Sequence, residues 1–288
     1  MEKYFENITI VLISHNSYEM ITNFIKNLSN KIRIIVIDNS KDLKLRKELE
    51  RNKNVHFEFM ENKGYGAAIN FARKLVKTKF FFVFSPDIKL IDDKFLKNFV
   101  IKMSSISEFA ALGPRFLDVT EKSHKQSDPN KEIGQVESIS GASMCFDTRT
   151  FDEIGGFDEN IFLFFEDSDF SKRAKKKGYK FYQINSAKVN HLRGVGDNIG
   201  VVKIKNSEQI NKLENLYSWH FIWSKYYFFN KHYGTIVSLF IFFPILIRML
   251  FRICFYYLVN NNLKKEKYKN RLSGFINSVK GNKSSKRL

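Results

Sequence analysis

Short runs of apolar residues alternate with amphipathic stretches over the first hundred residues of the chain. The apolar runs are rich in Ile, Val and Phe and are predicted to be buried strands: Ile8–Ser14, Ile32–Ser40, Val55–Phe59 and Phe80–Phe84. The stretches between them are predicted to be helices: Tyr18–Leu28, Asp42–Arg51 and Gly64–Val76. Continuous apolar strands separated by helices are typical of a parallel sheet that is covered on both faces. The pattern therefore predicts an α/β fold in which ligands bind beyond the carboxyl ends of the strands.

The next hundred residues continue this pattern with one polar interruption. Residues 120–136 are rich in Ser, Asp, Asn and Lys, and we predict a mobile loop there. A strand is predicted at Ser140–Phe146, and after it an acidic cluster begins a basic helix that ends at Gly178. Two further short strands are predicted before His191: Tyr179–Ile184 and Ala187–Asn190.

From Ser207 onward the chain is predicted to be helical. We therefore divide it into a catalytic domain, residues 1–202, and a basic, aromatic-rich helical region, residues 203–288. Within that region Gly234–Ile247 carries no charge over 14 residues, which is short of the roughly 20 needed to span a bilayer. Arg248 and Arg252 follow and share one helix face. We favour a helix that lies in an anionic membrane interface, with a tilted spanning helix and a buried core helix as alternatives.

Composition and charge narrow the class of protein. With 43% hydrophobic residues, the 288-residue chain is neither disordered nor of low complexity. Its two cysteines, Cys145 and Cys254, cannot form a disulfide framework or a four-thiolate zinc site, and they indicate a reducing compartment. The polar start of the chain predicts no cleavable signal peptide. The net charge is +18, and the residues from Lys203 onward include 16 basic and 3 acidic ones, which predicts an anionic partner such as a membrane or a nucleic acid.

Candidate chemistry lies where the predicted strands end. Asp87 can reach a divalent cation at that edge, with a solvated turn aspartate as the alternative. Asp38 lies at the same edge, where a cap of the following helix also explains it. Glu166–Asp169 contains three carboxylates after an apolar run, so burial is expected to raise a pKa towards that of a general base, with a helix cap as the alternative. His191 precedes the glycine-rich, basic turn Arg193–Gly196 and suits contact with a phosphate or a metal, with a structural histidine as the alternative.

Short segments along the chain occur in a recognisable order: His15-Asn16, Val36–Ser40, Glu61–Asn70, Pro86-Asp87, Gly141-Ala142, Gly155–Glu159, Phe165–Asp169 and His191–Gly194. In this order they resemble the family 2 inverting glycosyltransferases of the GT-A fold, in particular the rhamnosyltransferase-like branch that builds bacterial surface polysaccharides. The resemblance covers residues 8–196, about two thirds of the chain. It implies a Rossmann-like, mostly parallel sheet flanked by helices, and the residue pattern after position 203 adds a helical region that associates with a membrane.

The resemblance also implies a role for each matched residue. Contacts to the nucleotide-sugar donor would come from His15, Asn16, Asp38, Asn39, Asn62, Gly64, Asn70, Ser85, His191 and Arg193. The acceptor side would be formed by Gly141, Ala142, Glu166 and Asp169. Asp38 would hold the pyrimidine base, Asp87 would bind Mg²⁺ or Mn²⁺, and Asp167 would be the catalytic base. Family members often carry Asp-x-Asp at the metal site, whereas this chain has Ser85 at the first position.

The function that the resemblance implies is sugar transfer, with inversion, from a UDP- or dTDP-linked donor to a lipid-linked or polysaccharide acceptor. The reaction would serve O-antigen-like or capsule-like glycan synthesis at the cytoplasmic face of the plasma membrane, with no nucleic-acid partner. A nucleotidyltransferase is an alternative, but it would normally carry a glycine-rich basic loop where this chain has Ser14–Ser17. A nucleic-acid-binding protein would use the basic tail, yet no recognised motif for it is present. An inactive scaffold is disfavoured by the intact Asp87, Asp167 and His191.

Overall fold

The computed structural model describes residues 5–91, 94–118, 125–191, 198–199, 202–203 and 207–287. The chain forms two compact units. The first comprises Met1–Phe157 and Phe170–Lys203, and the second comprises Asp158–Asp169 and Ile204–Leu288. The segment Asp158–Asp169, which carries the predicted acidic motif, therefore belongs to the same unit as the C-terminal helices. The functional division of the chain at residue 202 stays a prediction.

The first unit contains a nine-stranded sheet. Its strands are β1 (Ile8–Ser14), β2 (Arg33–Asp38), β3 (Val55–Phe59), β4 (Phe80–Phe84), β5 (Ile88–Leu90), β6 (Ala111–Phe116), β7 (Ile133–Val136), β8 (Ser143–Asp147) and β9 (Phe181–His191). A two-stranded sheet is formed by β10 (Asn198–Ile199) and β11 (Val202–Lys203). The helices that begin in this unit are α1 (Tyr18–Lys26), α2 (Leu43–Leu49), α3 (Tyr65–Leu75), α4 (Phe95–Met103) and α5 (Thr148–Ile154). Helix α6 (Glu166–Lys176) begins in the second unit and ends in the first.

The strand order of the large sheet is β3-β2-β1-β4-β8-β6-β9-β5, and β7 also pairs with β9. Strands β1 to β4 are parallel to one another, whereas β8 runs antiparallel to both β4 and β6. Strand β9 is parallel to β6 and antiparallel to β5 and β7. As a result, the first four strands all end at one edge of the sheet, and the end of β9 lies beside the start of β5.

Alternate side chains of the central strands enter two separate apolar cores, one on each face of the sheet. Ile10 and Leu12 of β1 join Phe82 and Phe84 of β4 in one core, while Val11 lies in the other. Because side chains of a strand alternate between faces, a strand that is apolar at every position needs cover on both sides. The helices supply this cover, which confirms the α/β layering that the apolar runs predicted.

Two local predictions are wrong. Residues 133–136 are not loop but strand β7, and in the preceding segment Gln126 and Ser127 hydrogen-bond to Gln183 of β9. The two short strands predicted after Gly178 are one strand, β9. Its pairing with β6 shifts register between Pro114 and Arg115, and this bulge accounts for the polar interruption that suggested two strands.

The second unit is built around three helices: α7 (Ser207–Tyr233), α8 (Thr235–Leu258) and α9 (Asn262–Val279). Phe242 of α8 packs edge-on against Tyr226 of α7, with 5.2 Å between ring centroids, and stacks on Phe275 of α9 at 5.6 Å. Within the described residues, α8 is the helix that is long and apolar enough to cross a membrane by length and composition, and 17% of its most apolar stretch is buried. This low burial does not fit the interpretation of α8 as a buried core helix.

Candidate active site

Polar residues at the ends of β1, β2 and β3 form one hydrogen-bonded chain. His15 Nδ1 lies 2.7 Å from Asn39 Oδ1, and the Asn39 amide donates to Asn62 Oδ1 at 3.4 Å. Asn62 Oδ1 also accepts from the backbone N–H of Gly64, at 3.3 Å, where α3 begins. The carboxyl ends of adjacent parallel strands meet at one edge, so these residues lie together although the sequence separates them. Gly64 has φ +104°, a conformation that side chains disfavour, which explains a glycine at this turn.

Asp38 is fully buried, and its carboxylate holds the loop after β2. One oxygen accepts from the backbone N–H groups of Ser40 and Asp42, both at 3.0 Å, and the other accepts from the Ser40 hydroxyl at 2.8 Å. The same hydroxyl accepts from the N–H of Asn16, at 2.9 Å, so the loops after β1 and β2 are joined. The geometry supports a shaping role for Asp38, and its contact with a nucleotide base stays a prediction.

Asn70 holds a turn of the backbone. Its amide nitrogen donates to the carbonyl of Phe157, and its amide oxygen accepts from the N–H of the same residue, both at 2.9 Å. Gly156 next to it has φ +60°, and a Cβ atom there would lie 2.7 Å from Asn70 Oδ1, so a side chain at this position would strain the backbone and press on the Asn70 amide. Asn70 therefore acts in this structure through the turn that it binds, and a donor contact stays a prediction.

Asp87, Ser85 and His191 form a cluster beyond the end of β4. The Ser85 hydroxyl donates to Asp87 Oδ1, and His191 Nε2 lies 3.2 Å from Asp87 Oδ2. His191 reaches this position because β9 pairs with β5, which places it opposite Ile88. Its backbone N–H donates to Asp118 Oδ2 at 2.7 Å. Two residues that are about a hundred positions apart in the chain are thus brought together, whereas Arg193 lies outside the described residues.

The environment of Asp87 favours its ionised form. Burial by itself raises the pKa of a carboxyl group, but the hydrogen bond and charge of His191, together with the Ser85 hydroxyl, outweigh it and hold the pKa of Asp87 below its usual value. A carboxylate and an imidazole are both ligands for Mn²⁺, and Mg²⁺ is commonly bound by one or two carboxylates together with substrate phosphates. The described residues contain no group of three or more His, Cys, Asp or Glu that could hold a metal. Asp87 and His191 therefore fit a divalent ion that takes its remaining ligands from a bound diphosphate.

Gly141 and Ala142 lie next to this cluster in the first unit. The carbonyl of Ala142 accepts from the backbone N–H of Ser85 at 2.8 Å, as an extension of the β4–β8 pairing. The carbonyl of Gly141 accepts from the hydroxyl of Tyr65 at 2.9 Å. Both residues thus form part of the backbone wall beside Ser85, and their assignment to the acceptor side stays a prediction.

In the second unit, a strained turn precedes the acidic motif. Phe164 and Phe165 have φ values of +65° and +69°, which are rare for bulky residues and cost about 1–3 kcal/mol each. Their rings pack against α7, where both contact Phe221 with ring centroids 5.8 and 5.6 Å apart. Strain of this size persists only where the surroundings impose it. The packing on α7 therefore sets the point at which α6 begins with Glu166 and Asp167.

Asp169 is buried and paired with the end of α7. Its Oδ1 lies 2.7 Å from the ammonium of Lys231 and 2.8 Å from Nε2 of His232. Lys231 also contacts Asp158, at 2.6 Å, and lowers the pKa of that carboxyl group against the opposing effect of burial. Lys231 thus joins both ends of the segment 158–169 to one helix. The geometry indicates that Asp169 positions the acidic motif, and a direct acceptor contact stays a prediction.

The surroundings of Glu166 favour its protonated form. Burial raises the pKa of Glu166 to about 8, and the neighbouring charge of Asp167 adds to this effect. One carboxylate oxygen of Glu166 is buried without a hydrogen-bond partner among the described residues. Asp167 Oδ1 instead accepts from the backbone N–H of Ser168 at 2.6 Å, inside the first turn of α6. Glu166 is therefore neutral at pH 7.

Four residues that hold the motifs in place were not among the predicted site residues: Tyr65, Asp118, Lys231 and His232. Lys231 and His232 lie at the end of α7, a helix whose sequence is dominated by aromatic residues. No local spacing links them to Asp169, which is 63 positions from His232. The one signal for them is physical: a buried carboxylate such as that of Asp169 needs a partner, which indicates a cation elsewhere in the chain.

Comparison with known proteins decides the family. The model of "Glycosyl transferase family 2" matches residues 9–155, just over half of the chain. The chain belongs to this family. It is a glycosyltransferase, in agreement with the resemblance that its motifs indicated. A related protein, the "Low-salt glycan biosynthesis hexosyltransferase Agl10" of Haloferax volcanii, is 20% identical over 212 residues, which cover 66% of this chain and 68% of the relative.

Solved structures show the same fold. The glycosyltransferase resembles the mannosyltransferase PcManGT from Pyrobaculum calidifontis in complex with GDP-Man and Mn²⁺, with a TM-score of 0.59 and 11% identity over 95% of this chain and 87% of the other. S. aureus TarS 1-349 in complex with UDP-GlcNAc gives a TM-score of 0.55 and 14% identity over 96% and 92%. GalNAc-T7 with UDP, GalNAc and Mn²⁺ gives a TM-score of 0.53 and 14% identity, over 77% of this chain and 49% of the other. The fold of this glycosyltransferase is GT-A, as predicted.

Loss of the Lys231 ammonium should destabilise the helical unit of the glycosyltransferase. In Lys231→Met, Asp158 and the buried Asp169 both lose the ammonium that they contact, which we expect to cost about 2 kcal/mol or more of unfolding free energy. Both tryptophans of the chain, Trp219 and Trp223, lie on α7, so urea unfolding followed by tryptophan fluorescence reports on this unit. Lys212→Met is the matched control, because Lys212 pairs with Glu208 at the exposed surface of the same helix. An equal effect of both variants would contradict the positioning role of Lys231.

The raised pKa of Glu166 predicts a pH-dependent stability. The folded chain holds a proton on Glu166 up to about pH 8, whereas the unfolded chain releases it near the ordinary value of 4.5. Stability from this group is therefore complete below about pH 4.5 and is lost as the pH rises towards 8. Glu166→Gln cannot ionise, so its melting temperature should fall less than that of the wild type between pH 5 and pH 8. Glu159→Gln, at an exposed carboxylate of the same segment, is the control. Parallel pH profiles for Glu166→Gln and wild type would refute the assignment.

Proposed function

We propose that this glycosyltransferase moves a sugar from a nucleoside-diphosphate donor to an acceptor hydroxyl, with inversion at the anomeric carbon. The observation that carries the proposal is the Asp87–His191 pair beyond β4, in a chain of glycosyl transferase family 2. Two of the structural neighbours hold Mn²⁺ together with a nucleotide or nucleotide sugar, and a third holds UDP-GlcNAc. These bound molecules support a sugar nucleotide as the donor and a divalent ion that binds together with it.

The nucleotide half of the donor would lie along the hydrogen-bonded edge formed by the ends of β1, β2 and β3. His15, Asn39 and Asn62 offer side-chain donors and acceptors there, and Asn16 and Gly64 supply backbone groups. Asp38 and Asn70 would support this wall, through the loop after β2 and the turn at Phe157 respectively. A UDP- or dTDP-linked sugar is the donor that we propose, since the resemblance assigns this edge to a pyrimidine base.

The diphosphate would lie at the Asp87 cluster. Mg²⁺ or Mn²⁺ held by Asp87 and His191 would neutralise the charge that develops on the leaving diphosphate. Ser85 replaces the first carboxylate of the family's usual motif and hydrogen-bonds to Asp87, so it orients the remaining ligand. Arg193 follows His191 by two positions and is proposed as a further contact to the diphosphate.

Asp167 is proposed as the base that removes the proton of the acceptor hydroxyl. The acceptor oxygen forms a bond to the anomeric carbon while the bond from that carbon to the diphosphate oxygen breaks, and the proton passes to Asp167. A single displacement of this kind inverts the anomeric configuration. Glu166 is neutral at pH 7 and Asp169 is ion-paired with α7, so Asp167 is the carboxylate of the motif that suits this step. Gly141, Ala142, Glu166 and Asp169 would shape the acceptor side.

The acceptor is proposed to be a lipid-linked saccharide or a growing glycan at the cytoplasmic face of the plasma membrane. The related hexosyltransferase Agl10 is named for glycan biosynthesis, which supports this class of acceptor. The apolar helix α8 and the basic residues around it support attachment to an anionic membrane. A place among the rhamnosyltransferase-like enzymes of surface-polysaccharide synthesis, of the O-antigen or capsule type, follows from the motif resemblance. Assaying UDP-, dTDP- and GDP-linked sugars for thermal stabilisation of the protein, with and without Mn²⁺, tests the donor.

Asp87→Asn should weaken binding of the nucleoside diphosphate only when a divalent ion is present. The variant loses the charge that holds the ion, so calorimetric titration with UDP and Mn²⁺ should show an affinity that is lower by roughly tenfold or more. In EDTA, variant and wild type should bind UDP alike. Asp152→Asn removes a carboxylate that pairs with Arg73 at the surface and should match the wild type in both buffers. Equal losses with and without Mn²⁺ would instead indicate a structural role for Asp87.

Asp167→Asn should abolish transfer and spare donor binding. Loss of a general base is expected to lower kcat by about 10²-fold or more, while the Kd for the donor changes little because the base acts on the acceptor. Turnover on the acceptor found by screening measures kcat, and calorimetric titration with the donor measures its Kd. Glu159→Gln should retain wild-type turnover. Wild-type turnover in Asp167→Asn would exclude Asp167 as the base, and a product with retained anomeric configuration by NMR would exclude the single displacement.

A further inference from the structure

Helix α8 presents an apolar surface along its whole length. We define its outer face by six exposed residues at helical spacing: Ile236, Phe240, Phe243, Ile247, Phe251 and Leu258. Ile236, Phe240 and Leu258 are 86%, 82% and 80% exposed. A row of large apolar side chains exposed to this degree is unusual on a protein surface that faces water. Contiguous apolar surface of this extent marks a contact with another apolar phase.

The opposite side of α8 is packed within the second unit. Ser238, Phe242, Met249 and Tyr256 are its buried residues, and they recur every four or seven positions along one stripe. Phe242 contacts rings of both α7 and α9, and Tyr256 stacks on Tyr268 of α9 with 5.7 Å between centroids. Helix α8 is therefore attached to two neighbouring helices from near its start to its end. It cannot enter a membrane without bringing their side chains with it.

Charged groups accompany α8 along this packed side. The ammonium of Lys225 lies 6.0 Å from the ring centroid of Phe242, and that of Lys264 lies 5.5 Å from the ring of Tyr256. The Arg252 guanidinium donates to the Tyr256 hydroxyl at 2.9 Å. A helix of 24 residues is about 36 Å long, so a spanning α8 would hold Lys225, at the level of Phe242, and Arg252 inside a hydrocarbon layer of about 30 Å. Charges at such depth are strongly disfavoured.

The flank of the outer face is basic. Helix α8 contains two arginines and no acidic residue, and the exposed Arg248 directly follows Ile247. One residue turns a helix by about 100°, so Arg248 lies beside the outer face and not within it. At the end of α8, Lys265 lies over the ring of Tyr257, 5.6 Å from its centroid. An apolar face with a basic border and tyrosine at one end has the chemistry of a helix at an anionic lipid surface.

We propose that α8 lies flat in one leaflet of an anionic bilayer, with its outer face in the acyl region and Arg248, Lys264 and Lys265 at the headgroups. The inference rests on the proposed membrane attachment and specifies its geometry: α8 inserts sideways and does not cross. The depth expected for such a face is about 5–10 Å below the headgroup boundary and is uniform along the helix. A flat helix would let this glycosyltransferase meet lipid-linked acceptors of the leaflet that it binds.

The native chain offers a probe on this surface. Of its two cysteines, Cys145 is buried and Cys254 is exposed on α8, four positions before Leu258. The full-length protein is labelled at Cys254 with an environment-sensitive fluorophore. In a Cys254→Ser background, Phe240→Cys and Ile247→Cys supply two more positions, each seven residues from the next. Vesicles of phosphatidylcholine with about one third phosphatidylglycerol, brominated at defined acyl positions, then report the depth of each label by quenching.

A flat helix predicts the same shallow depth for all three labels. A spanning helix predicts that the label at position 247 lies about 10 Å deeper than those at 240 and 254, because seven residues rise by about that length, and this result would overturn the proposal. A label at Lys212→Cys, on the exposed surface of α7, should remain in water as the control. Labels at α8 that stay unquenched, or that are shielded without lipid in a dimer of this chain, would equally overturn it.

A second measurement tests the lipid chemistry. Partitioning of the unlabelled protein into vesicles with phosphatidylglycerol should exceed that into pure phosphatidylcholine by about tenfold or more, and Phe240→Asp should reduce it by a similar factor. Equal partitioning into both kinds of vesicle would overturn the choice of an anionic surface. Neither experiment uses donor or acceptor, so the two proposals fail independently. A protein that inserts sideways but transfers no sugar would contradict the proposed reaction and leave this inference standing. An active enzyme whose α8 stays in water would contradict this inference and leave the proposed reaction standing.

Discussion

A carboxylate that leaves water must find hydrogen-bond donors or a positive charge, or else take up a proton. The four buried acidic residues at the candidate sites meet this requirement in four different ways. Asp38 accepts from the N–H groups and hydroxyl of its own loop, Asp87 faces His191, Asp169 faces Lys231 and His232, and Glu166 takes up a proton. Each solution ties a motif to a particular part of the fold.

These ties explain why the site depends on elements far from it in the chain. His191 can meet Asp87 only because β9 pairs with β5, and β9 holds that position through its pairing with β6. The acidic motif begins at Glu166 because two strained phenylalanines pack against α7, and the end of that helix supplies the cations for Asp158 and Asp169. The helical unit thus determines the conformation of the segment that carries Asp167.

The second unit also shows how a packed helix can remain apolar on its outer side. Three buried aromatic rings, of Tyr226, Phe242 and Phe275, join the helices into one layer. Once this layer has formed, the outer face of α8 has no counterpart within the described part of the chain. The glycosyltransferase therefore combines a GT-A sheet with a helical layer that is apolar on the outer side of α8.

Much of the first unit could be predicted from the sequence. Strands β1, β3 and β4 have the predicted bounds. In β1 and β4 a nearly continuous apolar run is the local signature of a strand buried on both faces, whereas apolar and polar residues alternate in the less buried β3. The motif order indicated the family, and the end of each parallel strand placed His15, Asp38 and Asp87 at one edge. These features are local, or follow from the rule that parallel strands end together.

The tertiary structure alone decided which residues meet across long separations. The sequence does not indicate that Asp169 pairs with the end of α7, that Asp38 is occupied by its own loop, or that β9 is a single bulged strand. Nor does it show which side of α8 is exposed, since that helix is apolar on nearly every side. A local pattern records how strongly a residue avoids water and which backbone conformation it prefers. The partner that satisfies a buried charge depends on which surfaces the complete fold brings together, and that choice is made only in three dimensions.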